Sequence, residues 1–66
     1  MLIHINGKDT VLEQSISLAE YVAMQGIEAS AVVADINGQI IERSTWDNVI
    51  LNDGDRLELI SFVGGG

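Results

Sequence analysis

The stretch ISLAEYVAMQGI, residues 16–27, contains the start, the apolar face and the end of one helix. Ser17 and Glu20 have the spacing of a capping box, in which each side chain accepts a hydrogen bond from the backbone N–H of the other residue. Three apolar residues lie at helical spacing, which predicts a stripe that faces the core: Leu18, Tyr21 and Val22. Gly26 is placed to end the helix, because glycine readily adopts the left-handed conformation required there.

An Asn-Gly pair lies on each side of this helix, within a run rich in β-branched residues: Asn6-Gly7 and Asn37-Gly38. Asn-Gly is the strongest short hairpin signal, since both central positions of the tight turn need a positive φ. Each pair therefore predicts a hairpin. The four predicted strands cover residues 2–5, about 8–12, 31–36 and 39–41.

The last third of the chain completes the predicted fold. Residues 44–49 resemble a short capped helical turn, residues 52–55 are typical of a turn, and residues 56–63 predict a final strand. The order ββαββ-turn-β, with one helix across a mixed sheet, is that of an α+β, ubiquitin-like β-grasp domain over residues 1–63. Residues 64–66 are then a flexible glycine tail.

Composition narrows the possible functions. The 66 residues make one small domain, and 47% hydrophobic residues suffice for a core. There is no cysteine and only one histidine, so we expect no disulfide, no metal site and no catalytic residues. Two other polar features are interpreted as structural or surface positions and not as functional sites. Asp53-Gly54-Asp55 lacks the spacing of a calcium loop, and His4 alternates with apolar neighbours and should point away from the core.

The formal net charge is −7, from ten acidic and three basic residues. This charge disfavours nucleic acid and anionic membrane surfaces and favours a partner with a basic patch. The longest apolar runs are about four residues, far short of a membrane span, and no signal-peptide pattern opens the chain. We therefore expect a cytoplasmic protein that is monomeric alone.

Three glycines, Gly64, Gly65 and Gly66, follow an apolar strand directly. A frayed end without function is one interpretation. Another is that a tail without side chains enters a narrow channel and presents the Gly66 carboxylate, with a reach on the order of 10 Å. A carboxylate becomes a good acyl donor as an anhydride with AMP, and a sulfur nucleophile can then replace AMP to leave a thiocarboxylate.

Three segments together carry a resemblance to a known family: INGQIIERSTW over residues 36–46, NDGDRLEL over residues 52–59, and FVGGG over residues 62–66. With this ordered set the chain resembles the ThiS/MoaD family of ubiquitin-like sulfur carriers. Its length suits the ThiS members of thiamine biosynthesis better than their longer molybdopterin-linked relatives. A molybdopterin-type carrier, a non-carrier interaction module and a covalent protein tag remain alternatives.

The resemblance implies a specific chemistry and a set of partners. An E1-like, ThiF-like enzyme would adenylate Gly66 with its own ATP and magnesium, so this chain would bind no cofactor itself. Sulfur from a donor enzyme, ultimately from cysteine, would then replace AMP. A ThiG-like thiazole synthase would take that sulfur into the thiazole ring.

The final strand also predicts a partner surface. Leu57 and Leu59 share one face, so the opposite face carries large apolar groups beside the tail, and exposed patches of that kind usually mark partner sites. The predicted surface comprises Glu58, Ile60, Phe62 and Val63. Asp53 and Asp55 would rim it together with Glu58. The alternative is that a loop or the Trp46 segment covers it, although we expect Trp46 to pack at the edge of the core.

Overall fold

The computed structural model describes residues 1–61, in one helix and five strands. The strands are β1 (Leu2–Ile5), β2 (Lys8–Val11), β3 (Val32–Ile36), β4 (Gln39–Ile41) and β5 (Arg56–Ser61). The helix α1 covers Leu18–Met24, and two 3₁₀ turns cover Ala29–Ala31 and Arg43–Asn48.

The five strands form one mixed sheet in the order β2-β1-β5-β3-β4. Both Asn-Gly pairs make the predicted hairpins, with φ of 50° at Asn6 and 54° at Asn37. β5 lies in the middle, parallel to β1 and antiparallel to β3. This is the ubiquitin-like β-grasp arrangement, and the predicted fold class is confirmed.

The helix begins and ends as its sequence predicts. The Glu20 N–H donates to Ser17 Oγ at 3.0 Å, and the Ser17 N–H donates to Glu20 Oε1 at 3.0 Å, which completes the capping box. Gly26 has φ 71°, and its N–H donates to the Ala23 carbonyl at 3.0 Å. These bonds satisfy backbone groups that a helix end otherwise leaves unpaired.

The core lies between one face of the sheet and the layer formed by α1 and the second 3₁₀ turn. The predicted stripe of α1 is buried in it, and burial raises the pKa of the Tyr21 phenol above its ordinary value. Trp46 is 3% exposed, deeper than the core edge that the sequence suggested, and its Nε1–H donates to the Ile41 carbonyl at 3.0 Å. The core members are Ile3, Ile5, Leu18, Tyr21, Val22, Val32, Ala34, Trp46, Leu51 and Leu57.

The predicted boundaries of three elements differ from the structure. β3 begins at Val32, because residues 29–31 form a 3₁₀ turn, and β2 ends at Val11. The turn predicted over residues 44–49 begins at Arg43, with Glu42 at the N-cap position and no side-chain cap. The Thr45 N–H and the Thr45 hydroxyl both donate to the Glu42 carbonyl, at 3.0 and 2.7 Å, so this carbonyl rather than a serine cap organises the start of the turn.

Candidate functional site

The middle strand, β5, is the element that leads to the glycine tail. It pairs with β3 as far as Ser61, opposite Val32, but its register with β1 ends at Leu57, opposite Ile5. The second half of β5 therefore has a strand neighbour on one side only among residues 1–61. Residues 62–66 lie outside the described residues, so the roles predicted for Phe62, Val63 and the three glycines stay predictions.

Two asparagine side chains hold β5, one on each of its sides. Asn37 Oδ1 accepts from the Arg56 N–H at 2.9 Å, where β5 begins. Asn6 Oδ1 accepts from the Leu59 N–H at 2.8 Å, where the pairing with β1 has stopped. Sequence patterns assign these asparagines only to their turns, because no local pattern reveals a bond to a residue 53 positions away.

The open face of the sheet, opposite α1, carries the predicted apolar residue of β5. Ile60 is 53% exposed, and its register partner on β3 is the half-buried Val33. Trp46 is in the core, so it does not cover Ile60. Ile40 is 60% exposed on β4, so apolar surface extends across this face.

Glu58 is exposed on the same face and lies directly opposite Asp35 of β3. Within residues 1–61, the pair His4–Asp9 is the one ion pair, so no basic side chain bridges these two carboxylates. They line a shallow groove together with Asn37, Gly38, Gly54 and Arg56. The predicted partner surface did not include Asp35, although its alternation with the buried Val32 and Ala34 places it on the open face.

The turn predicted over residues 52–55 is present, and the side chains of Asp53 and Asp55 fix it through bonds that the sequence did not reveal. Asp53 Oδ1 accepts from the Leu2 N–H at 2.7 Å. Asp55 accepts from Asn37 Nδ2 at 3.0 Å with one oxygen and from the Asn52 N–H at 2.7 Å with the other. These carboxylates fix the turn before β5, in which Gly54 has φ 87°.

His4 lies on the open face, as predicted, with Nδ1 at 2.6 Å from Asp9 Oδ1. In the described part of the chain, no three histidine, aspartate or glutamate side chains come together closely enough to hold a metal ion. No helix within residues 1–61 is long and apolar enough to cross a bilayer.

The sequence model of the ThiS family matches residues 2–66. The chain belongs to the ThiS family. This match confirms the resemblance drawn from the three sequence segments, and it includes the terminal glycines.

Curated relatives of this chain include a sulfur carrier protein and two thiazole synthases. The chain is 30% identical to the sulfur carrier protein ThiS of Bacillus subtilis, with 98% of this chain and all of that protein covered. It is also 32% identical, over its whole length, to a thiazole synthase of Paramagnetospirillum magneticum. A thiazole synthase of Magnetococcus marinus is 30% identical. The chain spans about a fifth of the length of these two synthases.

The structure also matches a solved member of the family. The crystal structure of the thiamine biosynthesis protein ThiS from Geobacter metallireducens superimposes with a TM-score of 0.87 at 30% identity, and each chain is covered completely. Since the match covers both chains, the whole β-grasp domain is shared and not only a substructure.

Proposed function

We propose that this chain is a sulfur carrier of thiamine biosynthesis and not itself an enzyme. The supporting observation is the family match over residues 2–66, together with the full-length similarity to a protein named as a sulfur carrier. In this proposal the chain binds no cofactor and acts as the substrate of a ThiF-like adenylating enzyme that uses ATP and magnesium.

The chemistry takes place at the Gly66 carboxylate. A carboxylate oxygen attacks the α-phosphorus of ATP, and pyrophosphate leaves. Hydrosulfide (HS⁻) supplied by a donor enzyme then attacks the acyl carbon, AMP leaves with the oxygen to which it was bound, and the S–H proton is lost to solvent. The product is a thiocarboxylate. Because glycine has no Cβ, Gly64 and Gly65 allow this group to enter another protein's active site.

The open face beside β5 supports docking to the adenylating enzyme. Ile60 supplies exposed apolar area close to the tail, and Phe62 and Val63 are proposed to extend it. Glu58 and Asp35 add two facing negative charges with no ion-pair partner among residues 1–61, and a basic side chain of the partner would offset their repulsion. This surface therefore suits an apolar contact bordered by positive charge.

A ThiG-like thiazole synthase is the proposed acceptor of the sulfur. Two proteins named thiazole synthase contain a region similar to the whole of this chain. A carrier-like region within a synthase chain supports the view that carrier and synthase act together. We also propose that the chain works in the cytoplasm and is monomeric by itself.

Intact-mass measurement tests the proposal. The chain is incubated with a ThiF-like enzyme, ATP, magnesium and a sulfur donor. The expected change is the mass difference between one sulfur and one oxygen atom, located by fragmentation at Gly66. An unchanged mass would instead support a non-carrier interaction module, and linkage to a lysine of another protein would identify a covalent tag. Consumption of the thiocarboxylate by molybdopterin synthase but not by thiazole synthase would favour the molybdopterin pathway.

A further inference from the structure

Asn6 occupies the place where the pairing between β1 and β5 ends. Its backbone N–H donates to the Leu57 carbonyl at 2.9 Å, and its side-chain Oδ1 accepts from the Leu59 N–H at 2.8 Å. In a parallel pair, one residue normally makes both of these bonds with its main chain. At Asn6 the side-chain carbonyl takes the place of the main-chain carbonyl.

The reason for this substitution is the hairpin. Asn6 has φ 50°, so its main chain has already turned toward Gly7 and β2 and is no longer directed along β5. The side chain therefore continues the hydrogen bonding between β1 and β5 by one residue. It holds β5 in the sheet as far as Leu59, two residues beyond the last register pair with β1.

We propose that Asn6 is a positioning residue that fixes the direction in which β5 carries the C-terminal segment toward the adenylating enzyme. This inference rests on the proposed function. Gly66 lies seven residues beyond Leu59 and can be at most about 25 Å from it. Without the Asn6 bond, β5 beyond Leu57 is held to the sheet by β3 alone, so the strand end from which the C-terminal segment continues is less firmly fixed.

Asn37 provides a matched control at the other end of the strand. It is also the first residue of an Asn-Gly turn, with φ 54°. Its N–H donates to the Arg56 carbonyl at 2.8 Å, and its Oδ1 accepts from the Arg56 N–H at 2.9 Å. Substitution of Asn37 by glycine removes the same kind of bond from β5 at Arg56, five residues before Ser61, and with it the bond from Asn37 Nδ2 to Asp55.

Three variants separate turn formation from positioning. Asn6→Gly keeps a residue that suits the turn and removes the side-chain acceptor. Asn6→Asp keeps the turn and the acceptor, and Asn37→Gly removes the acceptor on the other side of β5.

The first measurement is amide hydrogen exchange on the free chain, with the Val22 amide as the internal reference. We expect amide exchange at Leu59 to rise about tenfold in Asn6→Gly, as for one lost hydrogen bond, while Ile60, whose N–H points to β3, should change less. Asn6→Asp should resemble the wild type, and Asn37→Gly should change Arg56 instead.

The second measurement is ATP–pyrophosphate exchange with the adenylating enzyme. Asn6→Gly should lower kcat/KM about tenfold with the fold intact, and Asn6→Asp should restore it. Wild-type pyrophosphate exchange by Asn6→Gly, or no recovery in Asn6→Asp, would overturn the positioning role. If the wild type itself is not adenylated, the proposed function fails, and the amide exchange of Leu59 alone decides whether Asn6 holds β5. Unchanged exchange there would refute the inference.

Discussion

Asp35 and Glu58 face each other in register across β3 and β5, on the side of the sheet away from α1. Like charges directly opposite each other destabilise a strand pair. Within residues 1–61 no basic side chain forms an ion pair with either carboxylate. The Gly38 N–H donates to Asp35 Oδ1 at 2.8 Å, and a basic side chain of the proposed partner would offset the remaining repulsion.

Glu58→Gln tests this relationship. We expect the free chain to become slightly more stable, by about 0.2–0.5 kcal/mol, because the repulsion across the strands is removed. Association with the adenylating enzyme should become several-fold slower and depend less on salt. The matched control is Glu13→Gln, which makes the same charge change in the exposed connection before α1. Equal slowing by both variants, measured by stopped-flow, would assign the effect to net charge alone.

Ile60→Ser tests the apolar part of the docking surface. Because Ile60 is 53% exposed, the fold should remain, while affinity for the adenylating enzyme should fall at least about tenfold. Val11 is 74% exposed on the edge strand β2, so Val11→Ser makes a similar change far from β5. Calorimetric titration of both variants distinguishes a specific site from general surface hydrophobicity. A weaker complex with Val11→Ser but not with Ile60→Ser would contradict the assignment.

Ser17→Ala tests the helix cap. The Ser17 hydroxyl oxygen accepts from the Glu20 N–H at 3.0 Å, and its loss should cost about 1 kcal/mol of the free energy of unfolding. Ser15 is exposed and outside the helix, so Ser15→Ala should stay within about 0.5 kcal/mol of the wild type. Urea denaturation gives both values. A smaller loss in Ser17→Ala than in Ser15→Ala would mean that the cap does not limit stability.

Val22→Ala tests the apolar stripe of α1. Val22 is 1% exposed, so truncation leaves a cavity and should cost about 1–3 kcal/mol. Met24 lies on the same helix but is 68% exposed, and Met24→Ala should have little effect. The comparison uses the midpoint of chemical denaturation, and an unchanged midpoint for Val22→Ala would contradict the burial of the stripe.

Gly65→Val tests the tail without changing its length. The added side chain restricts the backbone and adds bulk beside Gly66, so a normally folded chain should be adenylated poorly. ATP–pyrophosphate exchange with the partner enzyme measures this step, and the thermal midpoint verifies the fold. Normal exchange, or sulfur found at any residue other than Gly66, would exclude the proposed carrier mechanism.

The sequence by itself determined the elements whose signals are local. The Ser17–Glu20 capping box, the two Asn-Gly turns and the apolar stripe of α1 depend on residues within a few positions of one another, and the structure confirms each. The role proposed for Gly66 also came from the sequence, through the resemblance of three segments to the ThiS/MoaD family, and it stays a prediction.

Only the tertiary structure decided the contacts between distant segments. The bond from Asn6 to Leu59, the facing carboxylates of Asp35 and Glu58, and the full burial of Trp46 all depend on strand register and on layer packing. Alternation along a single strand assigns each residue to a face, but it does not specify which residue of another strand lies opposite. That pairing forms only when all five strands hydrogen-bond to one another over one core. It places β5 between β1 and β3.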